Sequence, residues 1–109
     1  MKEKELKNER DVKDEIKKIL KLNKCWYFMP VQTGYGVQGI PDFIVSHRGF
    51  FLGIEAKFGK NTESAWQKKQ GEGILDSGGI YVVVNENTLD KLEVMLSQIR
   101  GLEAFHGTT

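Results

Sequence analysis

Three stretches of this 109-residue sequence predict an α/β fold with one mixed sheet flanked by helices. Val12, Ile16, Ile19 and Leu20 recur at i, i+4, i+7 and i+8, the spacing of one helical face. Phe43-Ile44-Val45-Ser46 and Phe50-Phe51-Leu52 are apolar runs joined by His47-Arg48-Gly49, which reads as a β-hairpin. Ile80-Tyr81-Val82-Val83-Val84 is a nearly continuous β-branched run, the mark of a strand buried on both faces. With the elements between them, these give the order α-β-β-β-α-β-α, which is neither a sandwich nor a bundle.

The first helix is expected over residues 4–22, with Lys13, Asp14, Lys17, Lys18 and Lys21 facing solvent. Two acids depart from that outward pattern. Glu9 precedes Val12 by three and Ile16 by seven, so it falls on the apolar side; Glu15 lies at the edge of the stripe. Residues 25–29 are rich in aromatics and read as the first strand, ended by Pro30. Their poor alternation suggests burial on both faces, or one exposed aromatic. Cys25 is expected to be a small apolar filler there. Residues 31–39 form a connector with Gly34, Gly36 and Gly39, which places Thr33, Tyr35 and Gln38 beside whatever lies at the next strand's start.

After the hairpin, residues 58–62 read as a turn, with Asn61 or Thr62 capping a helix over residues 63–76 and Glu63 in its first turn. Trp66, Gln70 and Ile74 are spaced by four on it, and Gly71 and Gly73 each weaken it by about 1 kcal/mol relative to alanine. Gly78-Gly79 ends it. The last helix is expected over residues 89–99 on the stripe Leu89, Leu92, Leu96 and Ile99, with Gly101 as its stop and residues 102–109 as a tail. His106 lies in that tail, and His47, in the hairpin turn, reads as a surface residue. The whole is one domain, with its core over residues 4–100.

The hairpin carries the chemistry. Asp42 opens its first strand and Glu55 lies near the end of its second. In an antiparallel pair those ends are neighbours, so the two carboxylates meet at one end of the sheet. Lys57, two residues on, shares the face of Glu55. Like charges beside apolar strands are unfavourable unless paired or bound to a metal. A hard divalent cation such as Mg²⁺ resolves the conflict, because it takes oxygen ligands and keeps waters. The lysine can then hold a water beside it, which makes a set of parts for phosphodiester hydrolysis.

Composition excludes several alternatives. One cysteine rules out an internal disulfide and, without a His pair at ligand spacing, argues against zinc. There is no P-loop, so no nucleotide cofactor is expected. The charged N-terminus has no hydrophobic stretch and no apolar run reaches the length of a membrane span, so a cytoplasmic protein without membrane contact is expected. A net charge of +1 does not announce a nucleic-acid binder; any basic surface must come from the distribution of lysines.

Pro41-Asp42 followed thirteen positions later by Glu55-Ala56-Lys57 resembles the PD-(D/E)xK nuclease superfamily. Gly39-Ile40-Pro41-Asp42, the small size and the downstream Gln67 are most similar to the VRR-NUC (virus-type replication–repair nuclease) family, in its stand-alone phage and bacterial form. Glu9-Arg10-Asp11-Val12 also looks like the helix start of archaeal Holliday-junction resolvases. The resemblance implies a restriction-endonuclease-like core, αβββαβ, plus a C-terminal helix. It implies Mg²⁺ or Mn²⁺ held by Asp42, Glu55, the carbonyl of Ala56 and Glu9, the last favoured over Glu15. Lys57 would act on the attacking water and Gln67 would assist. Lys60, Lys68 and Lys69, with Thr33 and Tyr35, are the expected DNA contacts. The implied function is a structure-selective endonuclease, foremost a homodimeric four-way junction resolvase, with Trp26, Phe28, Trp66 and Met95 as spare apolar surface for the dimer. The rival expectations are a flap-processing or sequence-specific endonuclease, and a non-catalytic nucleic-acid-binding domain on the same fold.

Overall fold

The structure, a computed structural model, describes residues 5–32, 34 and 36–106, with no side-chain description from 103 onward. Its elements follow the expected order: α1 (Glu9–Leu22), β1 (Trp26–Phe28), β2 (Phe43–His47), β3 (Phe50–Ala56), α2 (Ala65–Asp76), β4 (Ile80–Val84) and α3 (Leu89–His106). The sheet is mixed and ordered β1-β2-β3-β4: the first two pairings are antiparallel and β3 runs parallel to β4.

The register sorts side chains into two faces. Phe43 lies opposite Ile54 and Val45 opposite Leu52, while Ala56 pairs with Val84, so these six share one face. They are buried there with Val12, Ile16, Ile19 and Leu20 of α1 and Leu92, Leu96 and Ile99 of α3. Each fully buried Leu or Ile contributes about 1.5–3 kcal/mol. Helix α2 covers the other face, over β3 and β4. The approach is close: a Cβ on Gly71 would run into the ring of Tyr81, and one on Gly53 would meet Ile74 Cδ1 at 2.8 Å. Gly71 therefore lowers helix propensity but allows this contact.

Several boundaries differ from expectation. Helix α1 starts at Glu9, not at residue 4, because Asn8 is extended and its side chain accepts from Asp11 N–H at 2.9 Å. Helix α2 is capped by Ser64 rather than Asn61 or Thr62, and Trp66 points outward at 53% exposure. Its inward positions are Gln67, Gln70, Gly71 and Ile74. Helix α3 continues through Gly101 to His106, so residues 102–106 are helical rather than tail. One glycine lowers helix propensity without breaking the hydrogen-bond ladder.

Both sheet edges were misjudged in the sequence. Strand β4 is an edge, and Val83 is partly exposed rather than buried on both faces. Strand β1 is the other edge and does alternate. Trp26 (62% exposed) and Phe28 stand on the open face with ring centroids 5.7 Å apart, while Tyr27 packs on Phe43 from the core side. His47 is buried at 2% exposure, not on the surface. Its Nε2 lies 3.2 Å from the Leu96 carbonyl, so that nitrogen is the donor, and Nδ1 is left to accept the Cys25 thiol at 3.3 Å. Burial pushes that thiol up to about 11 against the pull of Arg100 and Arg48, consistent with a neutral S–H donor.

Candidate active site

The β2–β3 register brings the acids together. Phe43 pairs with Ile54, and one step outward Asp42 stands beside Glu55 at the end of the sheet. Asp42 is fixed by its Oδ2, which accepts the Ala56 N–H at 2.9 Å. Glu55 is 2% exposed, and one of its oxygens is well supplied: Oε2 accepts from Gln67 Nε2 at 2.7 Å and lies 3.4 Å from Lys57 Nζ. The other, Oε1, is buried with no hydrogen-bond partner among the described residues.

Gln67 is held by the start of α2. Ser64 and Gln67 form a capping box: the Ser64 hydroxyl accepts Gln67 N–H, and Gln67 Oε1 accepts Ser64 N–H at 2.8 Å. With Oε1 so engaged, the amide nitrogen is turned to Glu55. Gln67 thus donates to the Glu55 carboxylate. The loop before β2 is pinned to the same helix start. Gly39 has φ +79°, and a Cβ there would strike the Trp66 carbonyl.

Helix α1 supplies the remaining charges. Glu9, its first residue, lies 3.5 Å from Lys13 Nζ, and that ammonium is also 3.5 Å from Asp42 Oδ1. Lys13, expected to face solvent, is therefore part of the cluster. Glu15 pairs with Lys18 at 3.0 Å and lines a separate cleft with Leu89 and Asp90 of α3. Of the two helix acids, Glu9 is the one on the cluster's side.

The electrostatics follow from crowding. Burial, then the negative charge of Asp42, pushes the Glu55 carboxyl up to about 7; Lys57 opposes the shift without cancelling it. Partial burial works against charge on Lys13, but Asp42 and Glu9 together raise its pKa above the ordinary value.

Among the described residues, no three His, Cys, Asp or Glu side chains group as a metal cage. The donor set that is present consists of two adjacent carboxylates, one with an unsatisfied buried oxygen, and the neighbouring Ala56 backbone. This fits a small hard cation that keeps most of its waters and takes one or two carboxylates.

The expected DNA contacts are spread more widely. Lys60, Lys68 and Lys69 are exposed, and Lys69 Nζ sits 5.4 Å over the Trp66 ring. Thr33 and Tyr35 lie outside the described residues. Sequence reasoning missed Lys13 and the capping box. The second was visible as Ser64-x-x-Gln67; the first had only its i+4 spacing from Glu9. No protein-family model matches this chain, and no curated protein matches it in sequence.

Proposed function

We propose that this chain is a divalent-cation-dependent DNA endonuclease of the VRR-NUC type, with a restriction-endonuclease-like core, acting on four-way junctions as a homodimer in the cytoplasm. The observation that carries the reading is the pairing of Asp42 with a buried Glu55 whose Oε1 has no partner, with Lys57 on the same carboxylate. An unsatisfied buried carboxylate oxygen is costly in a purely structural cluster and is explained by a ligand.

Asp42, Glu55 and the Ala56 carbonyl would hold Mg²⁺ or Mn²⁺, with Glu9 joining directly or through water. When bound, such an ion supplies Lewis acidity at a phosphate oxygen. Lys57, close to both Glu55 and the open end of the sheet, orients the attacking water and stabilises charge developing on the phosphoryl oxygens. Gln67 keeps Glu55 Oε2 engaged, so that Oε1 is the oxygen left for the ion. Lys60, Lys68 and Lys69 take backbone phosphates, which position the duplex without reading its sequence.

The dimer and junction readings are supported by size and surface. One 109-residue domain brings one such cluster, whereas a junction needs two strands cut symmetrically. Trp26, Phe28 and Trp66 are exposed apolar surface suited to an interface; Met95 packs against the core and leaves that set. Among the described residues, no helix is long and apolar enough to cross a membrane.

The test is cleavage of end-labelled four-way junctions, flaps and linear duplexes in Mg²⁺, with sedimentation of the DNA-free protein. Paired symmetric nicks in the junction by a dimer are expected. A monomer that cuts flaps as readily as junctions removes the resolvase reading, and no cleavage of any substrate in Mg²⁺ or Mn²⁺ removes the nuclease.

A further inference from the structure

Lys13 is the charge in this cluster that the proposed mechanism leaves without a task. Its ammonium lies 3.5 Å from both Asp42 Oδ1 and Glu9 Oε2. Charge-assisted hydrogen bonds are tighter, near 2.7–2.9 Å as a rule of thumb of about that size, so this is a loose double ion pair. The oxygen it holds is also the one a cation would need. Asp42 Oδ2 already accepts the Ala56 N–H, so Oδ1, held by Lys13 only at ion-pair range, is the less occupied oxygen for a cation that also takes the unpartnered Oε1 of Glu55.

The ammonium also has somewhere to go. Lys13 is 29% exposed and lines a cleft of about 530 Å³ with Arg10, Lys17 and Met29. Its flexible stem can swing into that cleft while its backbone stays in α1. Lys57 differs: it is 14% exposed and sits on the Glu55 oxygen that Gln67 also holds.

We propose that Lys13 is an exchangeable counter-ion, which neutralises Asp42 and Glu9 in the cation-free protein and gives up Asp42 Oδ1 when a divalent cation enters. This rests on the cation-dependent reading above and adds a competitor to it. Cation affinity is set by the displacement of Lys13 as well as by the ligands.

The test is Mn²⁺ binding to the DNA-free protein by calorimetry and electron paramagnetic resonance, without any cleavage readout. Lys13→Met should bind Mn²⁺ about three- to fivefold more tightly than the wild type, the scale set by losing partly exposed ion pairs. Lys13→Gln should do the same. Lys17→Met removes an equal charge from the same cleft, but Lys17 pairs with Asp14 at 3.7 Å; its affinity should match the wild type. Asp42→Asn should abolish tight binding. If Lys13→Met binds no more tightly than the wild type, or Lys17→Met tightens binding equally, the counter-ion role is overturned while the centre stands. If the wild type binds no Mn²⁺, or Asp42→Asn binds it unchanged, the centre falls and this inference with it.

Discussion

Glu55→Gln should stabilise the cation-free protein near neutral pH and remove a slope from its stability profile. The Glu55 carboxyl is raised from an ordinary 4.5 to about 7, first by burial and then by Asp42. Below 4.5 it is protonated in both folded and unfolded chains, so its contribution is constant and at its most favourable. Between about 4.5 and 7 the unfolded chain ionises first, and stability falls as pH rises; above 7 the loss is complete. At about 1.4 kcal/mol per unit, the full loss is about 3 kcal/mol. Glutamine has nearly the shape of a protonated carboxyl and does not titrate. The variant should therefore match the wild type at pH 4 and exceed it by up to about 3 kcal/mol at pH 8, a figure in which the opposing pull of Lys57 is already included. Urea denaturation in a chelator, across pH 4–8, measures the difference and cancels the carboxylates remote from Glu55. A wild-type advantage that grows with pH, or a difference that stays flat, would show that burial does not hold the Glu55 carboxyl up.

Three further outcomes follow from the geometry. Glu9→Gln should impair DNA cleavage more than Glu15→Gln does, because Glu9 joins Lys13 beside Asp42 while Glu15 lies towards α3; single-turnover assays give the order, and the reverse order contradicts the placement. Gly71→Ala should cost about 1–3 kcal/mol in denaturation, since the new methyl meets the Tyr81 ring, whereas Gly73→Ala, with open space at its Cβ, should stabilise by up to about 1 kcal/mol. Ser64→Ala should lose about 1 kcal/mol of stability and also lower cleavage, because the cap it removes orients Gln67 towards Glu55; an effect on stability alone would separate the cap from the site.

What could be read in the sequence was what is local. The hairpin, the meeting of Asp42 with Glu55 and the side shared by Glu55 and Lys57 follow from two adjacent strands and a period of two, so they survive. The element order survives for the same reason. What failed depends on contacts distant in the chain. Whether Ile80–Val84 is central or an edge depends on strand order, which a β-branched run does not encode. His47 is buried because its ring meets the carbonyl of Leu96 on the last helix. Lys13 was assigned to solvent on its position in the helical wheel, yet a long side chain at the margin of a stripe can reach over the end of a sheet. Gly71 stood in the sequence only as a loss of helix propensity, yet the Tyr81 ring of β4 fills the space its Cβ would take, a contact that no local pattern shows.

The proposed cation site at Asp42 and Glu55 can be seen by anomalous scattering from crystals grown in Mn²⁺. A peak is expected at about 2.1 Å, the bonding distance of a small octahedral cation, from both an Asp42 oxygen and Glu55 Oε1, and should be absent in Asp42→Asn crystals. A crystal saturated with Mn²⁺ that shows no peak between these carboxylates, with Glu55 Oε1 still unpartnered, would contradict it.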